Sequence, residues 1–96
     1  MDIPTLMRAI QVYRQVDPEI PPQAMLSLLI VARLRDARAT DIAHELGISA
    51  FSAGRMVSYW ESRGYIQREP DPADKRAFNL ALTAKGVRLY EELKNI

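Results

Sequence analysis

Apolar positions recur at helical spacing along most of this chain and alternate over one short stretch near its end. The most informative segment runs from Ser49 to Gly64. At about 100° per residue, Ala53, Met56, Val57 and Trp60 gather on one face of a helix, and Phe51, Ser52, Arg55, Tyr59 and Ser62 gather on the opposite one. The first face is apolar and is expected to be buried. The second is small, aromatic and cationic, and reads as the face that meets a partner. Ser49 is suited to start the helix, because its hydroxyl can accept a free backbone N–H. Gly64 is suited to end it, because it takes the left-handed conformation without steric cost.

The same pattern places elements on either side. Residues 4–16 predict a first helix, with Ile3, Leu6, Met7, Ile10 and Tyr13 on one side and Pro4 in the first turn. Asp17-Pro18-Glu19-Ile20-Pro21-Pro22 breaks the chain, since each proline restricts itself and the residue before it. A second helix is predicted from Pro22 to Arg35. Its centre is apolar almost all round, which fits burial as the central core helix or burial that includes a subunit interface. Arg35 to Ala39 reads as a polar connection. Thr40 is expected to cap a short helix, Asp41 to Leu46, with Asp41 at the positive end of its dipole. Gly47 ends that helix, Ile48 is the buried residue of the turn, and Ser49 opens the next: a helix-turn-helix.

After Gly64, Tyr65 to Glu69 reads as a strand and Pro70 to Arg76 as a turn-rich loop. In the strand Ala77 to Leu82, Phe78, Leu80 and Leu82 alternate with Asn79 and Ala81. The two strands make a hairpin, or wing. Thr83 caps a last helix, Ala84 to about Asn95, with Val87, Tyr90 and Leu93 in one apolar row. The fold class expected is mainly α with a small β-hairpin wing (α+β), a winged helix-turn-helix in one domain over residues 1–96. Residues 1–36 are assigned to core and dimerisation.

Composition narrows the function. Ninety-six residues with 48% hydrophobic and 26% charged side chains describe one ordinary folded domain. Thirteen Lys+Arg against twelve Asp+Glu leave a net charge of +1, so DNA binding would need locally placed cations, from two copies. No cysteine is present, which excludes disulfides and thiolate metal sites. The apolar run Leu28 to Ala32 is far below the ~18 residues needed to span a bilayer, and Met-Asp-Ile-Pro lacks the basic start of a secretory signal. A cytoplasmic protein without a membrane partner is expected.

The helix-turn-helix carries the strongest chemical signal, because a helix fits the major groove and its N-terminal side chains reach base edges. Arg55 could bind guanine O6 and N7 or simply be solvated. Ser52 suits base contact. Phe51 could meet a thymine methyl or pack on its own domain. Ala50 and Gly54 are small enough to let backbone approach, and Tyr59 could donate to a phosphate. The helix starts at Thr40 and Ser49 offer N–H groups to phosphates, and Arg38 is either a further contact or a solvated loop residue. In the wing, Lys75 or Arg76 could enter the minor groove. A neighbouring acid could instead hold Arg76 in a salt bridge that shapes the loop.

Four stretches together resemble the MarR-type winged-helix transcription regulators: Leu46-Gly47-Ile48-Ser49, Glu61-Ser62-Arg63-Gly64-Tyr65-Ile66, Asp71-Pro72-Ala73-Asp74-Lys75-Arg76, and Leu82-Thr83-Ala84-Lys85-Gly86. The resemblance implies a homodimer on a near-palindromic operator. The regulator expected is a repressor that occupies an operator and blocks polymerase, with activation by recruiting polymerase as the other reading. Recognition helices would lie in successive major grooves and wings in the flanking minor grooves. Carried over by position, it implies Ala50, Phe51, Ser52 and Arg55 facing bases, with Lys75 and Arg76 in the wing. Only one short helix follows the wing here, where typical members have two long ones. Effector sensing is therefore left open, and dimerisation falls to Ile3–Tyr13, the second helix and Val87–Ile96.

Two other classes compete. An enzyme or metal protein would need more than the single His44 beside Asp41 and Glu45, since metal sites take three or four ligands and no nucleophile–base pair appears. No cofactor is expected. A winged helix that has become a protein-docking module, an anti-repressor or assembly subunit, fits the near-neutral charge. It leaves Arg55, Lys75 and Arg76 at the positions a duplex would require unexplained.

Overall fold

Three aromatic side chains around Trp60 fix how the helices meet. Trp60 is fully buried, and its indole N–H donates to the Ala24 carbonyl at 2.6 Å. Tyr13 packs at 6.2 Å from it and donates its hydroxyl to the neighbouring Met25 carbonyl at 2.9 Å. Tyr59 and Tyr65 each meet the indole edge-on at 5.2 Å. The two buried rings, Trp60 and Tyr13, thus sit in the core while their polar atoms find backbone acceptors, which removes the cost of burying them.

The computed structural model describes residues 1–96, in the order α1 (Ile3–Val16), α2 (Pro22–Arg33), α3 (Ala39–Leu46), α4 (Ala50–Ser62), β1 (Ile66–Pro70), β2 (Phe78–Leu82) and α5 (Ala84–Lys94). The strands form an antiparallel hairpin in the register Ile66 to Leu82 through Pro70 to Phe78. This is the expected winged helix-turn-helix. The core runs through Leu28 and Val31 of α2, Ile42 of α3, Ala53, Val57 and Trp60 of α4, Ile66 and Leu80 of the hairpin, and Leu89 of α5. No helix is long and apolar enough to cross a membrane.

Local chemistry explains most boundaries. Ser49 and Thr83 each accept an N–H three residues on, from Ser52 at 3.0 Å and Gly86 at 3.1 Å. Gly47 and Gly64 take φ of +63° and +83° at the ends of α3 and α4, where a side chain would be strained. Gly86 answers a different need: a Cβ there would lie 2.2 Å from the Tyr65 carbonyl oxygen, so α5 reaches the hairpin only because that position is bare.

Several expectations are corrected. Thr40 is not a cap: α3 begins at Ala39, Arg38 is its cap residue, and Asp41 closes the start by accepting the Arg38 N–H at 2.8 Å. The connection before α3 is not merely polar, because Ala37 is buried and its carbonyl accepts the Leu80 N–H at 2.7 Å, adding a one-residue bridge to the wing. Phe78 is exposed, although it lies in the row expected to point inward. In α5 the buried positions are Gly86 and Leu89, while Val87 is exposed. In α1 only Tyr13 is buried, and Ile3, Leu6, Met7 and Ile10 stay uncovered. Leu26 and Leu29 of α2 are also exposed, so that helix is packed chiefly from one side.

Candidate nucleic-acid interface

α4 is positioned by what it buries. Ala53, Val57 and Trp60 face the core, which turns the opposite side outward by the helical period. Phe51 is 75% exposed at the start of that side, so its ring does not pack on its own domain. The Arg55 guanidinium lies 5.9 Å from the Phe51 ring centroid, close enough for a weak cation–π attraction that orders both. None of the chain's five ion pairs uses Arg55 or Lys75, so both retain full hydrogen-bonding capacity. Ser49 donates to the Ser52 hydroxyl at 3.0 Å, leaving that hydroxyl's own proton directed elsewhere. Ala50 is exposed beside them.

Between α4 and β1 lies an open groove of about 450 Å³, lined by Ala50, Phe51, Gly54, Arg55, Ser58 and Arg68. Ser58 and Arg68 were not among the expected residues. Ser58 is one helical turn beyond Gly54 and two beyond Phe51, and could have been found by extending the outer face. Arg68 could not, because its place depends on how the hairpin folds back. Its Nε meets both Glu61 carboxylate oxygens at 3.2 Å, which anchors β1 to the end of α4.

Tyr59 is a correction. Its hydroxyl donates to Asp17 Oδ2 at 2.7 Å, in the turn after α1, and is therefore engaged inside the domain. The Arg63 guanidinium lies 3.7 Å from the Tyr59 ring centroid and 3.6 Å from the same carboxylate. Burial, then the bond to Asp17, pushes the Tyr59 hydroxyl up to about 12. Asp17 is held below the usual carboxylate range, first by that hydroxyl and next by the Glu19 N–H.

Arg38 is engaged as well: its guanidinium pairs through one nitrogen with Asp71, the buried acid at the base of the wing loop, while the side chain stays 41% exposed. Asp71 also accepts the Ala73 N–H at 2.8 Å, and this bond, ahead of the Arg38 charge, holds its carboxyl low. Asp74 accepts the Arg76 N–H at 3.0 Å and so shapes the tip. The wing thus carries two ion pairs, Arg38 with Asp71 at its base and the expected Arg76 with a neighbouring acid, Asp74, at its tip. Arg76 is 95% exposed and only 3.8 Å from Asp74. Lys75 is exposed next to it, and Thr40 is exposed in the first turn of α3.

The structure therefore brings Ala50, Phe51, Ser52 and Arg55 to one outward face, keeps Lys75 and Arg76 at the hairpin tip, and engages Tyr59 and Arg38 in bonds within the domain. His44 stands exposed on α3.

Comparison with known proteins gives one consistent picture. The model of the MarR family matches residues 19–77. The HTH-type transcriptional regulator BilQ of Clostridioides difficile is 32% identical over 69 residues, which cover 72% of this chain and 47% of BilQ. The chain thus spans about half the length of that curated relative. Among solved structures, a transcriptional regulator from Thermotoga maritima matches with a TM-score of 0.77 at 29% identity, over 94% of this chain and 64% of that one. S. aureus MepR, solved as a complex with DNA, matches with a TM-score of 0.79 at 26% identity, over 93% and 72%.

Proposed function

Because the chain belongs to the MarR family, we propose that it is a sequence-specific regulator that binds double-stranded DNA. α4 enters the major groove and the wing tip follows the adjacent minor groove. The family is one of DNA-binding transcription regulators and not of enzymes. One observation carries the reading to this chain's own residues: Arg55 points outward from a capped helix, has no carboxylate partner, and is flanked by Phe51 and Ser52.

The roles divide by chemistry. Arg55 supplies the bidentate donor suited to guanine, Phe51 an apolar contact for a thymine methyl, and Ser52 an adaptable hydroxyl. Lys75 and Arg76 supply positive charge where the minor groove is most negative. That MepR was crystallised on DNA supports this use of the fold. With a net charge of +1, one copy offers few phosphate contacts, and a homodimer on a near-palindromic operator doubles them. The uncovered apolar residues of α1 and α2 within residues 1–36 provide the surface for pairing. Regulation is by repression, through occupation of an operator that polymerase must cross.

Mobility-shift titration across salt concentration tests the reading. Binding to a duplex must weaken steeply as salt rises, since each neutralised phosphate releases counterions. A chain that ignores duplex DNA and forms a salt-insensitive complex with another protein is a docking module instead.

A further inference from the structure

Two glycines lie inside helices, and the fold accounts for only one. Gly86 is required by the approach of the Tyr65 carbonyl. Gly54 is not: a Cβ built there meets no heavy atom within 4 Å, and its backbone is ordinary helix. Glycine in a helix interior is less stable than alanine because it surrenders more backbone freedom. α4 therefore carries a weakening residue that nothing within the protein demands.

Its surroundings supply the reason. Gly54 forms the floor of the groove between α4 and β1, with Phe51 and Ser58 as its neighbours one turn away on the helix surface and Arg55 and Arg68 at the sides. Bare backbone between an exposed aromatic ring and the unpaired Arg55 guanidinium, with the Glu61-bound Arg68 opposite, is a surface that a duplex can approach closely. We infer that Gly54 sets the depth at which α4 seats in the major groove, so that Phe51 and Arg55 reach base edges only because no side chain stands beneath the duplex there. The inference rests on the DNA-binding reading above and adds to it a residue that determines specificity without contacting a base through a side chain.

The magnitudes agree with this role. A methyl group extends the surface by about 1.5 Å, one C–C bond. The distance range of a good N–H···O bond is only about 0.5 Å wide. A helix pushed back by a methyl group thus loses the paired hydrogen bonds of Arg55 to a base, whereas long, flexible side chains keep their contacts with phosphates.

The test is Gly54→Ala, compared with the wild-type chain for thermal unfolding and for binding two duplexes at one salt concentration. One duplex is selected from a random pool by the wild-type protein, and the other is an unrelated sequence of equal length. The expected result is a Tm raised by roughly 2–8 °C, affinity for the selected duplex lowered roughly tenfold or more, and affinity for the unrelated duplex nearly unchanged. A Gly54→Ala variant that keeps the wild-type ratio between the duplexes overturns the inference, as does one that is less stable than wild type. A wild-type chain that prefers no duplex in the pool overturns the DNA-binding reading itself, and that outcome is visible before any variant is made.

Discussion

The Tyr59 hydroxyl donates a 2.7 Å hydrogen bond to the Asp17 carboxylate, joining the outer edge of α4 to the turn between α1 and α2 across 42 positions of sequence. The ring is braced on Trp60 and covered by Arg63. The orientation of α4 is thus tied to the N-terminal helices by a polar contact as well as by the core. Tyr59→Phe keeps the ring and deletes the bond. The expected loss is about 1 kcal/mol of stability, measured by urea or thermal unfolding. Duplex affinity should stay within about twofold, since a change of 0.4 kcal/mol or less is what an indirect contact leaves. A large loss of affinity with stability intact would return Tyr59 to the phosphate-donor role.

The two faces of α4, the caps at Ser49 and Thr83, the glycine stops and the hairpin were legible because each follows from local spacing or from a backbone preference. What was not legible depends on contacts distant in sequence. A helical wheel assigns Tyr59 to the edge of the outer face but cannot say that Asp17 arrives there. Arg38 reads as a free cation until the wing folds back and delivers Asp71. The Ala37–Leu80 bridge has no period to detect, because it is one residue long. In the α5 row Val87, Tyr90 and Leu93, only Val87 misleads by being exposed, and the tightest packing position is Gly86, which contributes nothing to an apolar pattern. The uncovered residues of α1 are a different case: their periodicity was real, but this chain alone does not bury them.

Acid should unfold the protein through the same two carboxylates that shape the site. Tyr59 and the Glu19 N–H favour ionised Asp17, and the Ala73 N–H with Arg38 favours ionised Asp71. Both groups titrate lower when folded than when unfolded, so the unfolded chain binds more protons in the acid range. Their stabilisation is complete above the ordinary aspartate value near 3.8 and is lost as pH falls through the lower folded values. Thermal midpoints followed from neutral pH down to about pH 2 should drop below about pH 4. Asp17→Asn and Asp71→Asn should each be less stable than wild type at neutral pH and show a shallower acid decline. An unchanged decline in both variants would place the acid-sensitive groups elsewhere.

Gly86→Ala makes the packing argument directly testable. The added Cβ must displace the Tyr65 carbonyl, a backbone atom, from 2.2 Å. Overpacking of that kind costs about 1–3 kcal/mol, opposite in sign to the gain expected from alanine in an open helical position. The unfolding midpoint should fall, and amide exchange should quicken at Thr83, whose N–H is bonded to the Tyr65 carbonyl at 3.0 Å. Equal or greater stability in Gly86→Ala would mean that α5 can slide away from the hairpin freely.

Arg55 and Lys75 separate base reading from charge. Both are exposed and absent from the chain's ion pairs, so replacing either should leave folding unchanged, and their effects can be read on DNA alone. Arg55→Ala should cost about 1–3 kcal/mol on the selected duplex and relax preference at one base position in each half-site. Lys75→Ala should weaken all duplexes by a similar factor and reduce the slope of log affinity against log salt by about one per bound copy. Binding followed by anisotropy across a salt series, on the selected duplex and on single-base variants of it, reads both quantities at once. If the two substitutions instead give the same salt slope and the same loss on every duplex, α4 is holding phosphates, and base recognition must be sought on another surface of the chain.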